Sequence, residues 1–377
     1  RFKMRRIIVF AAFYHPYKGG YVESIHELAV RLLKRGYKIF IVACGEKNYQ
    51  KNIEGIEICG LCCWNPIFLN NSFPIPHPTA VLKLLKFIYN NKFDYAVINT
   101  RFFPITWIGF LFGKLGGIPV IHIERGGQHA LTKNYLINLA ALVVDHTIAF
   151  VVVRFSNVAV GVSDAACVFL KHLGAVKPIK IYNGIDVDSK LNVSYGDKLP
   201  LKVTFVGRII YAKGLNELVN SAPSLNNVII QIIGGGPYKK EIEAAVGRLN
   251  LREKVIFLGE MNHQDVMKTL LNSDIFINTS YSEGLPRCVL EAGSVGLPVI
   301  ATDVGGTREI ISDNECGFLI SPRDVNAIVE SVNKLVSDTG LRERLGRRIK
   351  NHINGAFNWE SIITRYEKEC FGSHNFL

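Results

Sequence analysis

Two doubly wound α/β domains are predicted for this chain by three observations. Its 377 residues exceed what one core commonly serves. Near-continuous apolar strands alternate with helical patterns along both halves, the signature of parallel sheets covered on two faces. Several strands also run into glycine-bearing turns that open helices. Hydrophobic residues make up 48% of the chain and charged residues 20%, which excludes a disordered or fibrous protein.

In the first half, residues 6–12 read as a strand. A helix follows over 21–35, with Val22, Ile25, Ala29, Leu32 and Leu33 on one face, and then a strand over 37–43. Strands are expected at 56–63, 95–99, 120–123, 158–162 and 179–182, and in the second half at 203–207, 228–233, 255–258, 274–278, 298–302 and 318–320. Tyr182-Asn183-Gly184-Ile185-Asp186 reads as the linker. In such folds ligands bind at the carboxyl ends of strands, facing the cleft. The basic start followed by apolar residues 7–13 reads as a buried strand rather than a secretion signal. The longest uncharged runs, 102–113 and 134–144, fall short of the roughly 18–20 residues that cross a bilayer. Residues 81–88 form a short basic amphipathic pattern and 107–112 an apolar one. Each suits either a core-facing helix or peripheral attachment.

The chain carries a net charge of +12, all of it in the first half, where residues 1–185 hold 22 Lys and Arg against 9 Asp and Glu. That asymmetry suits an anionic membrane surface or a phosphate-bearing acceptor. Nucleic acid is not expected, because no helix-turn-helix, zinc finger or stacked-aromatic pattern accompanies the charge. Cys59-Gly60-Leu61-Cys62-Cys63 contains a C-x-x-C spacing without a second pair or histidine partner, and reads as free thiols in a strand. A reducing, cytoplasmic compartment follows, with a peripheral position on the cytoplasmic face of the membrane as a variant.

Chemistry concentrates in the second half. Arg208 follows the strand at 203–207, and Lys213 and Gly214 open the next helix; two cations and a helix N-terminus together make an anion site fit for a diphosphate. The Gly234-Gly235-Gly236-Pro237 turn repeats the strand, glycine turn and helix start, and alone reads equally as a tight turn. Glu283 and Glu291 stand eight positions apart around Gly284-Leu285-Pro286. Glu291, among Cys288, Val289, Leu290 and Ala292, is expected at the start of an apolar helix. A carboxylate buried there needs hydrogen-bond donors, and a hydroxyl-rich ligand supplies them. A purely structural role for both carboxylates is the alternative.

Taken together, these motifs resemble those of the retaining glycosyltransferases of family 4, which have the two-domain GT-B fold. The resemblance spans nearly the whole chain. It rests on Gly207-Arg208 with Lys213-Gly214, Glu283 to Glu291, Asn183-Gly184-Ile185-Asp186, Pro298-Val299-Ile300-Ala301-Thr302, Gly305-Gly306 with Glu309, Gly19-Gly20 with Glu23, and Phe357-Asn358-Trp359-Glu360. It implies an acceptor domain over 1–184, a nucleotide-sugar domain over 185–356, and a final helix over 357–377 crossing back to the first.

It further implies that Arg208 and Lys213 neutralise the donor diphosphate, that Glu291 holds the ribose and that Glu283 accepts from sugar hydroxyls. Gly19, Gly20, Gly235 and Gly236 would line the donor. The backbone of Gly284, Leu285, Pro286 and Arg287 would lie near the sugar and the amides of Val289 and Leu290 near a phosphate. The expected activity moves a hexose or N-acetylhexosamine from a UDP-sugar, or a GDP-sugar, to a membrane-associated glycan or lipid-linked acceptor. No cofactor and no metal are expected; Asp186-Val187-Asp188 has a metal-motif spacing but lies in the linker. Arg125 stands where the family commonly has histidine, and His129 is the candidate to take that role, while His122 is expected to face the sheet core. Arg287 stands where related chains often have asparagine. The alternatives are a nucleotide-sugar epimerase of the same fold and a non-catalytic basic binding module.

Overall fold

The computed structural model describes residues 4–17, 19–65, 73–89, 91–188, 190–196 and 198–372. The chain divides into two compact units. One comprises Arg1–Ala130, Tyr135–Tyr182 and Glu360–Leu377, and the other Leu131–Asn134 and Asn183–Trp359.

The first unit is built on β1 (Arg6–Ala11), β2 (Lys38–Gly45), β3 (Tyr49–Ile53), β4 (Ile56–Trp64), β5 (Ile75–Pro76), β6 (Tyr95–Asn99), β7 (Val120–Glu124), β8 (Val158–Gly161) and β9 (Ile179–Lys180). The strand order is β3-β4-β2-β1-β6-β7-β8-β9, with β5 on β4. All pairs are parallel except β3 and β5 against β4. The second unit holds β10 (Leu201–Val206), β11 (Val228–Ile233), β12 (Val255–Gly259), β13 (Ile275–Asn278), β14 (Val299–Thr302) and β15 (Phe318–Ile320), in the all-parallel order β12-β11-β10-β13-β14-β15. Both sheets reverse direction of winding beside their first strand, β1 between β2 and β6, and β10 between β11 and β13. Loops leaving two such neighbours part to opposite faces and open a crevice at the carboxyl ends.

Burial explains why the apolar runs read so clearly. Ile7, Ile8, Phe10, Ile39, Ile41 and Val42 have no more than trace exposure, and Val203, Phe205, Ile230, Ile232, Ile275 and Ile277 are equally enclosed. Two strands escaped the sequence reading. β3 is polar along its middle because it is an edge, joined to β4 through Glu54 and Gly55, both at positive φ, a turn type usually signalled by Asn-Gly. β5 is two residues long. Tyr49 lies across β4 so closely that a methyl group on Gly60 would meet its ring at 2.0 Å.

The amphipathic segment 81–88 lies in the helix Pro78–Tyr89, with Ala80, Leu84 and Ile88 buried and Leu82 and Leu85 exposed. The helix Pro104–Leu115 buries Ile105, Phe110 and two glycines that lie against Phe10 and Val120. The expectation that no segment is long enough to cross a membrane is corrected: Tyr135–Phe155 is a continuous 21-residue helix whose most apolar 18-residue stretch has a mean hydropathy of 2.2, long and apolar enough by length and composition. Asp145 had divided it on paper. In the fold that aspartate occupies a π turn, Asp145–Ala149, and is buried against Arg101, while Leu136, Leu139, Val143, Phe150, Val151 and Phe155 on the same helix are exposed.

The last helix, Trp359–Cys370, belongs to the first unit from Glu360 onward. In the first unit Arg35 pairs with Glu360 and Glu367, and Tyr95 donates to the Phe371 carbonyl at 2.7 Å. In the second, Ile185 donates to Phe357 and Gly184 leaves room for the Trp359 ring. Part of the loop 64–78 between β4 and the helix Pro78–Tyr89 lies outside the described residues.

Gly214 sits at φ 61, and a β-carbon there would come within 2.0 Å of the Thr279 carbonyl oxygen, tying the loop after β10 to the end of β13. Gly214→Ala is therefore expected to lower the stability of the second unit by about 2–4 kcal/mol, combining left-handed strain with overpacking. Urea unfolding with an unchanged m-value checks it.

Candidate functional site

The carboxyl ends of β10 and β13 bring together residues that are remote in sequence. After β10, Gly207 and exposed Arg208 lead into a 3₁₀ turn, Tyr211–Lys213. After β13 come Thr279, Ser280 and Glu283, then Pro286 and the helix Arg287–Ser294. Lys213 Nζ meets Glu283 Oε1 at 2.6 Å. Ser280 Oγ lies 2.6 Å from the same oxygen and 2.8 Å from Asn278 Oδ1, and Asn278 Nδ2 lies 3.3 Å from Glu283 Oε1. Asn278 and Ser280 are fully buried, so a polar floor lies beneath the pair.

Glu291, 6% exposed, accepts from Arg287 Nε at 2.8 Å and pairs with His263 Nε2 at 3.2 Å, both on Oε1. Burial raises its pKa, but the His263 hydrogen bond and the Arg287 charge outweigh it, so the carboxyl stays below its ordinary value. Burial likewise opposes the Lys213 charge, and Glu283 more than offsets it, holding the ammonium above its ordinary value. Arg208 lies near enough to Lys213 to work against that rise. Cys288 feels Lys213, Glu283 and Glu291 together, and burial foremost pushes its thiol up to about 12.

Glycines shape this crevice by close approach. A methyl on Gly234 would meet the Gly207 carbonyl at 1.9 Å, one on Gly236 the Ile209 carbonyl at 2.4 Å, and one on Gly235 the Glu260 carboxylate at 2.3 Å. Gly235 also accepts from the Ile209 amide at 2.7 Å. On the other flank Gly305, at φ 57, packs against the Glu283 carbonyl, and the Gly306 amide donates to the Gly284 carbonyl at 2.7 Å, clasping the turn that carries Glu283. Gly284, Leu285 and Pro286 are buried in that turn. The amides of Val289 and Leu290, expected beside a phosphate, donate to the Pro286 carbonyl at 3.1 and 3.3 Å.

The first unit carries its own polar group at the ends of β1, β6 and β7. Gly19 caps the helix Gly20–Lys34 at φ 127, a conformation that strains any residue with a β-carbon. Arg125 donates to Asn99 Oδ1 from Nε and Nη2 at 3.3 and 3.2 Å and stands 6.0 Å from the Tyr21 ring. Thr100, a β-branched residue at φ 61 between Asn99 and Arg101, holds backbone strain of the kind that gathers at functional sites. His129 is drawn elsewhere: its Nδ1 lies 2.7 Å from Asp145 Oδ2. Asp145 is paired with Arg101, which also pairs with Glu124 at 3.1 Å, and buried His122 points Nε2 at Glu124. The sequence reading missed Arg101, Glu124 and Asp145. Arg101 and Asp145 are 44 positions apart and nothing in their spacing announces the contact.

Against known proteins, residues 193–352 match the family model described as glycosyl transferases group 1, and residues 18–189 that described as glycosyltransferase family 4. An uncharacterized glycosyltransferase of Methanocaldococcus jannaschii is 25% identical over 96% of this chain and 97% of its own length. A Homo sapiens relative named as part of the phosphatidylinositol N-acetylglucosaminyltransferase is 24% identical over 98% of this chain and 76% of its own. Among solved structures, sucrose-phosphate synthase from Thermosynechococcus elongatus superposes with a TM-score of 0.78 at 18% identity, covering 97% of this chain and 98% of that one. The Anabaena protein HepE in complex with UDP-glucose does so with a TM-score of 0.74 at 18% identity, covering 96% and 98%.

Burial first raises the pKa of Glu124, yet Arg101 foremost among its partners brings it down to about 2 from an ordinary 4.5. A depressed carboxyl stabilises the fold above its unfolded value and loses that contribution as pH falls through the folded one. The urea midpoint is expected to drop between pH 4.5 and about 2. Glu124→Gln is expected to start lower and lose less over the same interval.

Proposed function

This chain belongs to the family 4 and group 1 glycosyltransferases of the GT-B fold, and on that premise we propose that it moves a hexose or N-acetylhexosamine from UDP-sugar to a membrane-associated glycan or lipid-linked acceptor, retaining the anomeric configuration. One observation carries the donor half of this reading. Lys213, Ser280 and Asn278 meet Glu283 on Oε1, and Arg287 and His263 meet Glu291 on its own Oε1. Each carboxylate is thereby held through Oε1, and on this reading its other oxygen serves the ligand, the sugar hydroxyls at Glu283 and the ribose at Glu291. Arg208 and Lys213 take the diphosphate. Breaking the anomeric bond loads negative charge on that leaving group, and cations already in place stabilise it with no metal in the transfer step. Solved neighbours bound to UDP and UDP-glucose support a uridine donor over a guanosine one.

In the first unit, Arg125 replaces the family's usual histidine and, held by Asn99, meets an anionic group of donor or acceptor. His129 is tied to Asp145, which leaves it less suited to that vacancy. The exposed apolar side of Tyr135–Phe155, together with the excess of Lys and Arg over residues 1–185, supports seating on an anionic bilayer surface. Asp145 at mid-helix, held by Arg101, favours lying on the interface over spanning it. A relative named for phosphatidylinositol N-acetylglucosaminyl transfer supports a lipid-linked acceptor.

Lys213→Ala and Glu291→Ala are each expected to lower kcat/KM for sugar transfer by at least about 100-fold, the range lost when one transition-state stabiliser is removed. Thermal melts establish that each variant is folded, and calorimetry with UDP reports donor binding apart from turnover. Full activity in either folded variant, or free sugar formed without acceptor as the main product, refutes the assignment. For membrane seating, co-sedimentation with anionic vesicles is expected to fall as salt rises and to weaken in Leu136→Asp/Val143→Asp. Binding indifferent to lipid charge refutes it.

A further inference from the structure

Three imidazoles converge within the first unit, apart from the residues assigned to the donor. His129 lies in the segment after β7, His146 in the π turn and His172 at the end of the helix Asp164–His172. One ring nitrogen from each lies within 4.8 Å of the other two. The ring centroids stand 5.2 to 5.4 Å apart. We infer that this cluster binds one divalent transition metal of the zinc type, with water as a fourth ligand.

Three features of the surroundings carry the inference. Three neutral imidazoles and an open position are an established zinc donor set. His129 Nδ1 is already bound to Asp145 Oδ2 at 2.7 Å, the carboxylate-to-imidazole arrangement that fixes the tautomer and leaves Nε2 its lone pair. Asp145 is itself held by Arg101 through Nε at 2.7 Å and Nη2 at 3.1 Å, so the ring has a rigid support. Charge favours a cation too. The Arg101 guanidinium is met by both Glu124 and Asp145, and this buried trio carries one negative charge in excess.

The π turn places consecutive residues on different tasks. Asp145 is fully buried against Arg101, while His146 is exposed toward the cluster. Insertions of this kind into a helix recur at functional sites. Tetrahedral zinc with bonds of about 2.0–2.1 Å sets its ligand nitrogens roughly 3.4 Å apart. His146 and His172 are both exposed and close that difference by turning their rings. Phe169 backs the site, stacked on His172 at 6.1 Å between centroids and edge-on to His129 at 5.0 Å. A bound ion would staple the segment that carries Arg125 and His129 to two helices. The metal takes no part in sugar transfer, so the inference stands or falls independently of the proposed reaction.

The test titrates chelator-stripped full chain with zinc chloride by calorimetry. One equivalent is expected, with affinity falling at least about 100-fold in His146→Ala and in His172→Ala, ligands whose loss exceeds the 10–100-fold of second-sphere changes. Zinc is expected to raise the melting temperature of the parent chain and not of the double variant, while both melt alike without metal. X-ray absorption of the loaded protein is expected to show nitrogen and oxygen only, at about 2.0 Å. Eight free cysteines offer a competing site. A sulfur shell, undiminished binding in the double variant, a loss under about tenfold, or no saturable binding overturns the assignment.

Discussion

Lys213 and Glu283 meet at 2.6 Å although 70 positions separate them, and the second unit's chemistry hangs on that contact. It exists because β10 and β13 are neighbours while the chain between them builds β11 and β12 on the other side. A sheet that wound in one direction only would carry the lysine and the glutamate on the same face, several strands apart. The reversal beside β10 delivers both to one crevice. Gly214 against Thr279, Gly234 against Gly207 and Gly305 against Glu283 then hold the crevice to tolerances of tenths of an ångström, since each contact is too tight for a methyl group. Tight backbone packing thus positions the charges.

Holding charges half out of water costs free energy unless partners are built in. Lys213, Glu283 and Glu291 each have one, and the polar floor of Asn278 and Ser280 continues the hydrogen bonding below them. The first unit repeats the solution with Glu124, Arg101 and Asp145, enclosed almost completely. In both units some of these charges, Glu124 and Arg101 in the first and Glu283 in the second, sit at or just beyond the carboxyl ends of strands, where backbone carbonyls and amides run out of ladder partners. These positions are where a parallel sheet concentrates polarity.

Much of this was legible in the sequence because the governing signals are local. Apolar runs located thirteen of the strands to within a few residues, and the spacing from Glu283 to Glu291 marks a turn followed by a helix. What stayed hidden depends on pairing across the chain. Asn278 and Ser280 look like ordinary strand-end polar residues until Glu283 folds over them. The sequence marks Arg287 only as standing where related chains often have asparagine, and its contact with Glu291 one helical turn later has no signal there. Asp145 interrupts an apolar run on paper and so masked a 21-residue helix, because its charge is cancelled by an arginine from the end of β6. β3 was missed because an edge strand needs no apolar alternation on its open side.

Cys288 has a consequence of its own. Burial pushes the pKa of its thiol up to about 12 in spite of a neighbouring ammonium, so its sulfur stays protonated at neutral pH. Electrophiles that seek thiolates will pass it by while the helix it begins stays seated. Faster reaction there would require looser packing around the second position of the Arg287–Ser294 helix.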